Sequence, residues 1–123
     1  IQRARRWRKV LGGGMRQVGI LAAAGLHAID HHFDRLEEDH GRAAAIGERL
    51  EANGAVASVA PVETNIVIAS LPQGRTAGEM VEHFASHGVL CSAFGPDKVR
   101  WVTHLDFGEE GLARVLAAVD TWS

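Results

Sequence analysis

The sequence predicts an α/β chain in which helices come first and a small two-layer β-β-α-β-β-α domain follows. Three observations carry this. The apolar spacing is helical up to about residue 53 and then switches to short apolar runs typical of strands. Asn53-Gly54 stands at the switch as a helix stop. Thr76, with Glu79 three residues on, opens a helix between two pairs of strand candidates, because the two side chains can each cap the other's backbone N–H.

Taken in order, residues 2–10 form a basic helix whose apolar residues are Trp7 and Val10, with Leu11 following, and Gly12, Gly13 and Gly14 end it. Met15 to Ile29 is alanine-rich and nearly uncharged, so a helix there is expected to be buried almost all round, packed closely through Gly19, Ala22, Ala23 and Gly25. Such burial points to contact with further chain or another subunit. Asp30 to Asn53 continues helically with Phe33, Leu36, Ala43 or Ala44, Ile46 or Gly47, and Leu50 on one side and acids with arginines on the other. Strands are expected at Val56–Val59, Asn65–Ser70, Val89–Cys91 and Lys98–Thr103, with helices from Thr76 to about His87 and from Gly108 to Trp122.

A chain of 123 residues with 46% hydrophobic and 23% charged residues has the composition of one soluble globular domain. No stretch reaches the roughly 18 apolar residues of a membrane-spanning helix, so no membrane partner is expected. The single cysteine, Cys91, excludes an internal disulfide, and its apolar setting reads as an inert buried thiol. The chain starts at Ile1, without Met and inside a helix pattern, which reads as a piece of a longer protein.

Charge is unevenly spread. The first 16 residues hold six of the 13 Lys and Arg and no acid, whereas the rest holds seven bases against 15 acids. A basic stretch beside an acidic body asks for an anionic partner. The glycines that follow it permit positive φ and close approach of backbone to a ligand, and a helix N-terminus beyond them adds a positive dipole end. The pattern reads as a small-anion site, with phosphate the leading ligand, or as a plain turn between helices. It is neither a Walker loop nor a GxGxxG turn.

Three other groups invite chemistry. His27 and His31 lie one helical turn apart beside Asp30, His32 and Asp34, but the stretch reads as a solvated helix junction, and no metal is expected. Arginines and Trp7 in the first nine residues could track nucleic-acid phosphates, yet the patch is short and the body acidic, so no nucleic acid is expected. Arg100 interrupts an apolar strand, where alternation puts Val99 and Trp101 on one face and Lys98, Arg100 and Val102 on the other. A guanidinium there is either the solvent-facing side chain of an edge strand or a fork for a carboxylate.

The segments RARRWRKVLGGGMRQVGILAAAGLHAI, RLEEDH, ETNIVIAS and VRWVTHLD, in unbroken order over nearly the whole chain, resemble the C-terminal part of low-specificity L-threonine aldolases. That resemblance implies the pyridoxal-phosphate-dependent transferase fold of the aspartate-aminotransferase type. Residues 1–29 are then the end of the large cofactor domain, 30–54 a connecting helix and 55–123 the small C-terminal domain. It implies pyridoxal 5'-phosphate as cofactor, with Lys9 and Arg16 holding its phosphate at a turn shaped by Gly12, Gly13 and Gly14, and Arg100 holding the α-carboxylate of an amino-acid substrate. His104 and Asp106, in the second motif, are expected to be structural.

The implied activity is aldehyde-lyase cleavage of L-threonine or L-allo-threonine to glycine and acetaldehyde, in a cytoplasmic homodimer or homotetramer. The lysine that bonds the cofactor and the residues that flank its ring lie upstream in such proteins. Lys9 and Lys98 are the only lysines here, and neither stands in a Ser-Lys-Gly setting, so this stretch alone is expected to be inactive, with no catalytic residue of its own. The alternatives are another lyase or aminotransferase of the same fold, or a stand-alone anion-binding regulatory domain.

Overall fold

The computed structural model describes residues 1–123 and divides into two compact units, Ile1–Asp34 and Arg35–Ser123. The first unit holds helices α1 (Gln2–Val10) and α2 (Val18–His32). The second holds α3 (Leu36–Asn53), β1 (Ser58–Val59), β2 (Ile66–Ser70), α4 (Ala77–Ser86), β3 (Ser92–Ala93), β4 (Lys98–Val102) and α5 (Glu109–Asp120). From residue 55 onward the element order is the expected β-β-α-β-β-α.

The four strands form one antiparallel sheet in the order β1-β2-β4-β3. Strand β4 is therefore an inner strand, with Arg100 opposite Ile68 on one side and Ser92 on the other. The edge-strand alternative for Arg100 is thereby corrected, because the β3–β4 hairpin supplies an outer neighbour that a local reading does not reveal. The third expected strand is also displaced: Val89–Cys91 lies outside any strand, and pairing begins only at Ser92.

One face of the sheet presents Val67, Ala69, Val99 and Trp101, all nearly inaccessible, to the helices. Helix α3 adds Ala43, Ile46 and Leu50, α4 adds Met80 and Phe84, and α5 adds Val115, Ala118 and Val119. Full burial of a side chain such as Phe84 contributes about 1.5–3 kcal/mol, and its ring meets that of Trp101 edge-on at 5.1 Å. Helix α4 opens with a complete capping box, Thr76 Oγ1 accepting from the Glu79 N–H while the Glu79 carboxylate accepts from the Thr76 N–H. Gly54, at φ +74°, stops α3 in the left-handed conformation.

One helical expectation is corrected. The run from Asp30 to Asn53 is not continuous: α2 stops at His32 and α3 starts at Leu36, where it joins the core of the second unit. Helix α2 has no buried residue, and Ile20, Leu21, Leu26 and Ile29 are all exposed. The surface expected to cover it belongs to further chain or another subunit, and within its own unit the neighbouring helix is basic and offers no apolar face.

Candidate functional site

In the first unit, the glycine turn is a helix terminus of defined geometry. The Gly12 N–H donates to the Lys9 carbonyl at 3.2 Å and the Gly13 N–H to the Arg8 carbonyl at 2.7 Å, the paired bonds of a Schellman motif. Gly12 takes φ +85°, a conformation that costs any residue with a Cβ. A Cβ on Gly13 would stand 2.9 Å from Arg8 Cγ and 3.0 Å from the Arg8 carbonyl oxygen. Both the Gly12 and the Gly13 N–H are thus used inside the turn, which leaves the cationic side chains around it as the groups able to meet an anion.

Lys9 precedes the turn, Arg16 follows it, and both are exposed. No base in the first 16 residues has a carboxylate partner, because the chain has no acid before Asp30. Arg3, Arg5, Arg6 and Arg8 are exposed as well. Two unpaired cations flanking a tight glycine turn suit a compact dianion, and the donor set fits a phosphate monoester.

The second unit contains six arginines, and five of them, Arg35, Arg42, Arg49, Arg75 and Arg114, have a carboxylate within 4.0 Å. Arg100 has none. It is half-buried, its Nε is shut off from solvent without a hydrogen-bond partner, and its guanidinium carbon lies 5.6 Å from the centre of the Phe94 ring. A guanidinium so placed keeps unused donors, which a bidentate carboxylate would satisfy. Arg100 shares its face of the sheet with Ile66, Ile68 and Val102, away from the helix-covered core.

The end of β4 is held from two directions. Asn65 Nδ2 donates to the Thr103 carbonyl at 2.7 Å, Thr103 N–H donates to the Asn65 carbonyl at 3.0 Å, and the buried Thr103 Oγ1 donates to the Asp39 carbonyl on α3 at 2.7 Å. His104 is exposed, and its Nδ1 accepts from the Asp106 N–H at 3.2 Å. A cleft of about 230 Å³ on the helix side of β4 is lined by Val89, Trp101, Thr103, His104 and Phe107 among others, and Arg100 does not reach it.

Lys9, the glycines and Arg16 belong to the first unit, and Arg100 to the second. The sequence reading overlooked Phe94, which it treated only as part of a connecting loop, and Asn65, which it treated only as the start of a strand. An aromatic residue in a tight polar turn was the signal available for Phe94.

The fold is of mixed α/β type with a small antiparallel sheet and is shared with part of an aminotransferase. N-acetylornithine aminotransferase from Stenotrophomonas maltophilia K279a matches with a TM-score of 0.55 and 25% identity, over 69% of this chain and 26% of that one. A model of the beta-eliminating lyase family matches residues 1–73, and the chain belongs to that family. It is 44% identical over 117 residues to the low-specificity L-threonine aldolase of Escherichia coli (strain K12), covering 95% of this chain and 34% of that protein. Low-specificity L-threonine aldolase 1 of Arabidopsis thaliana is 36% identical over 107 residues, covering 85% of this chain and 30% of that protein. The chain spans about a third of the length of the curated relatives it matches. No helix is long and apolar enough to cross a membrane.

Proposed function

We propose that this chain serves as the C-terminal part of a pyridoxal-phosphate-dependent aldehyde-lyase that cleaves L-threonine and L-allo-threonine to glycine and acetaldehyde. In the complete protein, a cytoplasmic homodimer or homotetramer, Lys9 and Arg16 hold the cofactor phosphate, and the Gly12–Gly14 turn sets where those two cations stand. The domain assignment follows: residues 1–29 close the large cofactor domain, 30–54 connect, and 55–123 form the small domain.

Arg100 binds the substrate α-carboxylate through its two-pronged N–H edge. Fixing the carboxylate fixes rotation about Cα, and so selects which bond to Cα stands ready to break. The cofactor, when bound, supplies the electron sink for the pair released as the Cα–Cβ bond breaks. This chain contributes anchorage and orientation, and the proton chemistry belongs to groups outside it.

The observation that carries the reading is the unpaired Arg100 on an inner strand, in a chain 44% identical to a threonine aldolase. The test is a pair of variants of the full-length protein containing this chain. Arg100→Ala should raise KM for threonine by about 10- to 100-fold, the worth of a charge-assisted hydrogen-bonded contact, while the cofactor absorbance stays. Arg16→Ala should weaken cofactor retention instead. Unchanged KM in the first, or full cofactor absorbance after dialysis in the second, removes the corresponding role.

A further inference from the structure

We infer that Phe94 is a positioning residue for Arg100, holding the guanidinium for carboxylate capture by stacking against it; the inference rests on the reading of Arg100 as the carboxylate anchor. Phe94 is a large apolar side chain left 53% exposed, although the chain has a well-filled core elsewhere. Its ring centre lies 5.6 Å from the Arg100 guanidinium carbon, within reach of a cation–π attraction.

The loop that carries it is tied down at several points. The Phe94 N–H donates to the Lys98 carbonyl at 2.8 Å and closes the hairpin just beyond the Ala93–Val99 pair. Gly95 takes φ +137°. The Leu71 N–H donates to the Asp97 carbonyl and the Ala77 N–H to the Pro96 carbonyl, each at 2.8 Å, so the loop is bound both to the end of β2 and to the first turn of α4. A ring mounted on such a loop is a fixed surface.

The choice of an aromatic neighbour has a chemical logic. Asp97, the acid closest to Arg100 along the chain, makes no ion pair with it. A carboxylate in the place of Phe94 would restrain the guanidinium but occupy its N–H edge and lower its affinity for a second carboxylate. An aromatic face attracts the cation while offering no acceptor oxygen, so restraint is gained and the donors stay available.

The test uses the full-length protein and reads KM and kcat for threonine separately, with cofactor absorbance as a check on folding. Phe94→Ala should raise KM about threefold to fivefold with kcat nearly unchanged, the scale of an exposed cation–π contact. Phe94→Leu, which keeps apolar bulk without the ring, should behave like Phe94→Ala, and Phe94→Tyr should restore the parental KM. In an Arg100→Ala background, Phe94→Ala should add nothing. Parental KM in Phe94→Ala or Phe94→Leu, or an undiminished effect of Phe94→Ala when Arg100 is absent, overturns the proposal. Arg100→Ala separates the two ideas: if it leaves KM unchanged the carboxylate reading itself fails, and if it raises KM while Phe94→Ala is silent, only the role of Phe94 falls.

Discussion

Asn65 and Thr103 exchange hydrogen bonds across the sheet: the Asn65 amide donates to the Thr103 carbonyl at 2.7 Å, and the Thr103 N–H donates to the Asn65 carbonyl at 3.0 Å. This pair extends the β2–β4 ladder one step past Ile66 and Val102. Thr103 then reaches α3 through its hydroxyl, fastening the strand that carries Arg100 to the helix layer.

Thr103→Val keeps the shape and removes that hydroxyl, leaving the Asp39 carbonyl with only its partner in the α3 ladder. The expected loss of stability is about 0.5–1.5 kcal/mol by urea unfolding, the net worth of one hydrogen bond. A loss under about 0.5 kcal/mol would show that the hydroxyl is not needed.

Arg49 on α3 and Asp120 at the end of α5 form a two-pronged ion pair, with oxygens 2.5 and 2.6 Å from Nε and Nη2. The hydrogen bonds from Arg49 hold the Asp120 carboxyl below its ordinary range. Because the folded state lowers this pKa, the pair stabilises above the unfolded value and the contribution disappears as pH falls through the folded one. The stability gap between the parent and Asp120→Asn should therefore be full at pH 6 and shrink below about pH 4. Equal gaps in urea midpoint at pH 6 and pH 3 would contradict this.

Burial pushes the Cys91 thiol up to about 11. The thiolate is then on the order of one part in a thousand at pH 8, against roughly a quarter for a free cysteine. Labelling of the folded protein by a disulfide reagent should be slow at pH 8 and accelerate towards pH 11, with fast labelling restored in urea at pH 8. Rapid labelling of the folded chain at pH 8 would refute the assignment.

Much of the architecture was legible because it is written locally. The Val99 and Trp101 alternation identified the buried face of β4, Thr76 and Glu79 identified the start of α4, and Asn53-Gly54 marked the end of α3. What escaped depends on pairing and contacts that residue type alone does not encode. Strand β3 is two residues long and exists only through pairing with β4, so its composition could not locate it. The break at Phe33–Arg35 has no glycine or proline to announce it. For the candidate site, the chemistry of Arg100 and of the basic glycine turn stood in the sequence, whereas the use of the Gly12 and Gly13 N–H groups within the turn, and the stacking of Phe94, needed coordinates.

The inner position of β4 also bears on how this protein could be re-engineered. A strand hydrogen-bonded on both edges cannot shift Arg100 along the sheet without breaking two ladders at once, so the guanidinium proposed to take the carboxylate is mounted at a fixed point. On the proposed reading, variation in what the enclosing protein accepts beyond the carboxylate must come from residues around that point. The exposed turn from Phe94 to Asp97 is itself tied to β2 and α4, and Phe94 and the positive-φ Gly95 are committed within it, so a library aimed at selectivity would leave those two positions unchanged.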